Sequence, residues 1–232
     1  MGYIEKLQSE KLTLIVSLPR NDHKLAEAAI KAGADVVKIH INVEHRASST
    51  IFKSFHEEYE EIIKILKICK ENNTPIGIVP GGDEHIQDSE IKKIVEAGFD
   101  FLSVYDKHMN PSILKENISK MMAIDNKFKI EYVDVINELP IDIIECSIME
   151  PETYGQRLTM REIMEYKIIR KHTKKPIVIP TQRNITPEQA LALQEIGVNG
   201  LMIGAIVTGK TEESIYEATK IFREKIDSYG GR

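Results

Sequence analysis

The chain has 232 residues, 42% of them hydrophobic and 29% charged, with a formal net charge of −5. That length suits one α/β unit with a sizeable core, and the composition is too balanced for a disordered chain. Basic residues are dispersed among acidic ones, so no extended positive face for a nucleic-acid backbone is expected.

The start, Met1-Gly2-Tyr3-Ile4-Glu5-Lys6, lacks the apolar run of a signal peptide, and Lys6 stands where a myristoylation signal wants Ser or Thr. Apolar runs such as Ile141–Ile144 and Leu201–Ile206 are far too short to span a membrane. Cys69 and Cys146 both lie in apolar segments and read as buried free thiols of a reducing cytoplasm, without zinc spacing.

Taken in chain order, the predicted strands are 13–20, 35–42, 75–81, 99–106, 128–135, 141–149, 176–183 and 198–205. Helical periodicity separates most of them: Leu25, Ala28, Ala29 and Ala32 share one face, as do Tyr59, Ile62, Ile63 and Leu66. Helix starts are marked by Thr159 with Glu162, by Thr186 with Gln189 after Pro187, and by Thr211 before an acidic turn. A helix ending in glycine and followed at once by an apolar strand recurs at Gly33, Gly98 and Gly197.

Eight strands alternating with helices imply parallel pairing and a (β/α)8 TIM barrel spanning 1–232 as a single domain. An open doubly wound sheet is the rival; Ser17-Leu18-Pro19-Arg20 after the first strand, in place of GxGxxG, weighs against it. Only 136–140 separates the fifth and sixth predicted strands, so a short or missing helix is expected there.

The most specific stretch is 198–210, where an apolar strand runs into Gly204-Ala205 and a short helical turn. Free backbone N–H groups and a helix N-terminus at a barrel mouth make an anion site. This stretch, with 176–197 before it, resembles the last quarter of the phosphate-binding (ribulose-phosphate-binding) TIM barrels. That superfamily includes N-acetylmannosamine-6-phosphate epimerase, indole-glycerol-phosphate synthase and the geranylgeranylglyceryl-phosphate synthases. The resemblance implies phosphate held by the ends of strands seven and eight. Strand eight matches through Gly204 and Ala205, whereas Ile179-Pro180-Thr181-Gln182-Arg183 replaces the strand-seven glycines. Arg183 as a bidentate grip and Thr181 as a hydroxyl donor are the expected substitutes, with Ser17 nearby. The bland alternative is that Gly204 only permits close packing and Arg183 pairs with a carboxylate.

Alternation in Asp35–Asn42 sends Val37, Ile39 and Ile41 toward the helices and Lys38, His40 and Asn42 toward the barrel interior. A buried lysine needs a compensating carboxylate, and Glu131 and Glu145 stand in isoleucine-rich contexts where strands are expected. Lys38, His40, Glu131 and Glu145 therefore form the candidate acid/base cluster, with a silent interior salt bridge as the alternative. Tyr105, Asp106, Arg20 and Glu150 near strand ends, and loops carrying His45, Arg46, Tyr154, Gln156 and Arg157, are further candidates for the mouth.

No metal or cofactor is expected. His40 and Asn42 are faintly similar to the strand-two His-x-Asp of ribulose-phosphate 3-epimerase, but no histidine stands on strand three. His23, His56, His85, His108 and His172 read as surface residues.

The expected function is an enzyme, an isomerase or epimerase of carbohydrate metabolism, that abstracts a proton next to a carbonyl of a small phosphorylated sugar-like metabolite. The alternatives are a Schiff-base aldolase or lyase using Lys38, and a non-catalytic metabolite-binding or regulatory barrel. Nucleic acid and membrane are not expected partners, and a homodimer is left open.

Overall fold

One turn, used repeatedly, sets the architecture. Gly33, Gly98 and Gly197 have φ values of 97°, 89° and 95°, a left-handed geometry that stops each helix and returns the chain to the sheet. In the computed structural model, which describes residues 2–82 and 86–229, the resulting strands are β1 (Thr13–Ser17), β2 (Val36–His40), β3 (Val43–His45), β4 (Thr50–Phe52), β5 (Ile76–Val79), β6 (Phe101–Tyr105), β7 (Ser119–Ile124), β8 (Ile143–Cys146), β9 (Ile177–Pro180) and β10 (Gly200–Ile203). All but β3 and β4 close into a parallel barrel in the order β1-β2-β5-β6-β7-β8-β9-β10. The β3–β4 pair is a separate antiparallel hairpin in the loop after β2.

The helices are α1 (Tyr3–Leu7), α2 (His23–Lys31), α3 (Tyr59–Glu71), α4 (Asp88–Ala97), α5 (Ile130–Ile136), α6 (Met160–His172), α7 (Pro187–Glu195), α8 (Ala205–Thr208) and α9 (Glu212–Asp227). Capping boxes begin α6 at Thr159, α7 at Thr186 and α9 at Thr211. None of the helices among the described residues is long and apolar enough to cross a membrane.

One βα unit differs from the sequence expectation. The segment 128–135 is not the fifth barrel strand; it forms α5, and Ser119–Ile124 is the strand. Phe128, Ile130 and Tyr132 alternate like a strand, but Val133 and Ile136, three apart, are the residues that bury. Ser119-Lys120-Met121-Met122-Ala123 carries no β-branched run and follows no glycine turn, so it sends little strand signal. The curtailed crossover accordingly lies one unit earlier than expected, between β6 and β7, where a 3-10 turn (Pro111–Lys115) replaces a full helix.

Two apolar layers hold the fold. The larger lies between the barrel and its helices and includes Val37, Ile39 and Ile41. The smaller fills the barrel's amino-terminal end with Ile15, Val36, Phe101, Met121, Ile143, Val178 and Met202, closed from below by Tyr3 and Leu7 of α1. Tyr3 stacks on Phe101 with ring centroids 4.1 Å apart, and Gly77 makes room for that ring, since a Cβ there would lie 2.0 Å from Phe101 Cζ. With one end plugged by packed hydrocarbon, the barrel opens to a ligand at the carboxyl ends of its strands.

Candidate active site

Lys38 and Glu145 stand above that apolar plug on β2 and β8, strands opposite each other in the closed order. Their side chains meet across the barrel, Lys38 Nζ 2.9 Å from Glu145 Oε2, with 4% and 7% of the two side chains exposed. Two hydroxyls complete the carboxylate shell: Ser103 Oγ donates to Oε2 at 2.7 Å and Ser147 Oγ to Oε1 at 2.9 Å. Burial alone pushes the Glu145 carboxyl up, but the Lys38 charge and the bonds from Lys38, Ser103 and Ser147 outweigh it and hold the group below the ordinary carboxylate range.

The pair floors a cavity of about 330 Å³, whose walls include Ser17, His40, His45, Tyr105, Tyr154, Thr181 and Gly204. His40 is 3% exposed; its backbone is gripped by Asn21, and its Nδ1 is buried without a hydrogen-bond partner. Its ring lies 4.5 Å from that of His45 and 4.8 Å from that of Phe52, which docks the β3–β4 hairpin onto the barrel rim. Burial, then the neighbouring His45 and Lys38, keep His40 well below the usual histidine range, and burial with the Lys38 charge lowers His45 to about 4. Both imidazoles are neutral at pH 7.

On the far wall Gln182 ties two loops together. Its Oε1 accepts from the Met149 amide at 3.1 Å, and its Nε2 donates to the Ser147 carbonyl and to the Tyr154 hydroxyl. Tyr105 and Tyr154 have their phenols pushed up by burial, so they serve as hydroxyl donors and not as anions.

At the third side, Thr181 Oγ1 accepts from the Gly204 amide at 3.0 Å, which leaves the threonine proton free for a ligand. Gly204 caps α8, whose first-turn amides at Ala205 and Ile206 have no acceptor within the helix. A Cβ on Gly204 would approach Ser17 no closer than 3.7 Å, an ordinary contact. Packing therefore does not require glycine there; its lack of a side chain keeps the backbone approachable.

The structure thus brings Lys38, His40, Glu145, Ser17, Thr181 and Gly204 to one cavity, with Ala205 beside it. Two expected residues lie elsewhere. Glu131 is exposed in the first turn of α5, because its segment is helical. Arg183 turns away from the cavity: it pairs with Glu162 at 2.8 Å and donates to the Thr153 carbonyl at 2.7 Å, clamping the start of α6. Its charge is already matched by a buried carboxylate, and it does not line the cavity where a phosphate grip was expected. Ser103, Ser147 and Gln182 went unrecognised in the sequence. Only the alternation of Ser103 with Phe101 and Tyr105, and of Ser147 with Glu145, pointed to the first two.

Asp106, Glu150 and Arg20 do not line the cavity, whereas Arg46 and His108 do. His85 lies outside the described residues. Among those residues, one histidine–carboxylate grouping has metal-like spacing, Asp22, His23 and Glu61. Each member is already engaged: Asp22 with Arg20 and the α2 amide of Lys24, and Glu61 with His23 and Lys64. Both cysteines are buried and free, and burial raises the Cys69 thiol to about 12.

No family model matches the sequence, and a search of curated proteins finds no match. Solved structures do match in shape. Thiamine phosphate pyrophosphorylase from Pyrococcus furiosus is 13% identical with a TM-score of 0.67, over 97% of this chain and 100% of the other. A chain of tryptophan synthase from Mycobacterium tuberculosis is 9% identical with a TM-score of 0.70, over 97% and 98%. The tryptophan synthase A-subunit from Pyrococcus furiosus is 14% identical with a TM-score of 0.61, over 94% and 96%. The protein is a (β/α)8 barrel. At such identities fold alone is shared, and function has to be argued from the site.

Proposed function

We propose that this barrel is an enzyme acting on a small phosphorylated, sugar-like metabolite, moving a proton at the carbon next to a carbonyl as isomerases and epimerases do. The observation that carries the reading is the buried Lys38–Glu145 pair, 2.9 Å apart on the floor of an open cavity and held by two serine hydroxyls.

Glu145 is the base and Lys38 the group that stabilises the developing enolate oxygen. Paired with Glu145, the lysine charge weakens the carboxylate as a base. A substrate carbonyl that draws the ammonium toward its oxygen removes part of that charge from the carboxylate, so Glu145 becomes more basic when a proton is to be taken. His40, neutral and with an unpartnered Nδ1, supplies a further polar contact on the same wall.

The phosphate belongs at Thr181, Ser17 and the first turn of α8. That placement is supported by the free Thr181 proton, by the two α8 amides without intrahelical acceptors and by the unobstructed backbone at Gly204. A barrel of similar shape, thiamine phosphate pyrophosphorylase, is named for a phosphate compound, in keeping with this assignment.

The Schiff-base alternative needs the Lys38 nitrogen free to attack a carbonyl, whereas that nitrogen is engaged by the Glu145 carboxylate at 2.9 Å. Incubating the protein with phosphorylated aldoses and ketoses in D2O and following loss of the C–H signal by proton NMR tests the proposal. Deuterium uptake is expected only with phosphorylated members of the panel. Uptake by none of them, or a borohydride-reduced adduct on Lys38 in its place, overturns it.

A further inference from the structure

The hairpin that follows β2 carries a second polar group into the cavity. In the β3–β4 register His45 pairs with Thr50, and its ring packs against that of His40 at 4.5 Å. Its Nδ1 lies 2.8 Å from the hydroxyl of Ser48, a residue wholly shielded from solvent at the hairpin turn. His45 lines the same cavity as Lys38 and Glu145, and with Nδ1 engaged, Nε2 is the ring's remaining polar atom. A buried serine serving a histidine nitrogen is a familiar way of fixing which nitrogen holds the proton.

We infer that His45 is a further catalytic residue: a neutral imidazole whose Nε2–H, set by a hydrogen bond from the Ser48 hydroxyl to Nδ1, donates to the substrate carbonyl oxygen. The inference rests on the proton-transfer reading above and adds one partner to it. In the forward step the C–H bond breaks and its proton goes to Glu145. The C–H electron pair becomes the new C=C bond, and the carbonyl π pair moves onto the oxygen, where His45 Nε2–H and the Lys38 ammonium receive the negative charge. Nothing is oxidised or reduced, and the proton returns to carbon in the reverse sequence. A neutral donor suits this place because a second full cation beside Lys38 would be repelled by it, in keeping with the lowered histidine pKa.

The test uses phosphoglycolohydroxamate, a stable mimic of a phosphorylated enediolate, and ethyl phosphate, which offers the phosphate alone. Both are titrated calorimetrically into the full chain. In the wild type the hydroxamate is expected to bind at least ~10-fold tighter than ethyl phosphate, as hydrogen bonds to a charged oxygen would give. His45→Ala lowers that ratio ~10-fold while ethyl phosphate affinity holds, His45→Gln restores part of it, and Ser48→Ala lowers it in between. Nitrogen NMR of His45 at pH 7 is expected to show Nε2 protonated and Nδ1 bare. An unchanged ratio in His45→Ala, or the opposite tautomer, overturns the inference and leaves phosphate binding standing. Failure of both compounds to bind the wild type overturns the phosphate reading itself, and this inference with it. A purely structural role for His45 would depress both affinities together, which also refutes the assignment.

Discussion

Replacing Lys38 by Met removes the cation from a buried carboxylate and leaves Glu145 with the hydroxyls of Ser103 and Ser147 as partners. Breaking one side of a buried ion pair costs about 3–5 kcal/mol. Because two hydroxyls still serve the oxygens, the lower end applies, about 3 kcal/mol. For a chain of this size that is a fall of roughly 6–12 °C in Tm. The double variant Lys38→Met/Glu145→Gln buries no charge and still gives both serines a partner, one hydroxyl donating to the amide oxygen and the other accepting from the amide NH2, so it should return to within about 1 kcal/mol of the wild type. The pH dependence has a definite sign. Glu145 has a depressed folded-state pKa, so its contribution is full above the ordinary carboxylate range and is lost as pH falls through the folded value. In Lys38→Met the unpaired carboxylate is destabilising at neutral pH, and the deficit narrows on acidification as the group protonates. Urea unfolding of the four species from pH 4 to 8 yields the coupling energy directly. Single variants within about 1 kcal/mol of the wild type, adding simply in the double, would refute the electrostatic argument.

Other substitutions separate structural from ligand-binding roles. Arg183→Met should lower stability by loosening the start of α6, where Arg183 holds Glu162 and the Thr153 carbonyl, and leave phosphate affinity measured by calorimetry intact. Gly77→Ala places a methyl against the Phe101 ring and should cost about 1–3 kcal/mol or more in denaturant unfolding. Thr181→Val removes the acceptor of the Gly204 amide and the free hydroxyl proton, and should weaken inorganic phosphate binding ~10-fold. His45 titrates near 4; with that depressed pKa, its share of stability is present above about 6.5, the unfolded value, and lost as pH falls toward 4. His45→Gln should flatten the stability profile in that window.

How much of this was legible in the sequence depends on how unusual each residue is in its setting. Lys38, between Val37 and Ile39, and Glu145, between Ile144 and Cys146, stood out because a charge between apolar residues in a strand has few places to go. The glycine turns were readable because their left-handed geometry excludes most side chains. Ser103 and Ser147 were signalled by strand alternation alone, which is weak because serine in a strand is as often inert as functional. Glu131 misled because five apolar residues in eight fit a strand and a short helix equally well, and only burial of Val133 and Ile136 against the barrel decides. Arg183 misled because sequence position at a strand end does not fix where a long side chain goes; the carboxylate of Glu162 captured it. The role of the hairpin followed from register and ring packing, which arise only after the chain folds.

The central claim, that Glu145 takes a proton from carbon, is tested most directly by one comparison. The phosphorylated sugar that exchanges fastest in D2O is offered to the wild type and to Glu145→Gln at equal concentrations, with folding of the variant checked by circular dichroism. The account predicts that the wild type incorporates deuterium next to the carbonyl, and that the variant loses this by ~10²-fold or more while still binding the compound. Exchange at the wild-type rate in the glutamine variant would contradict it.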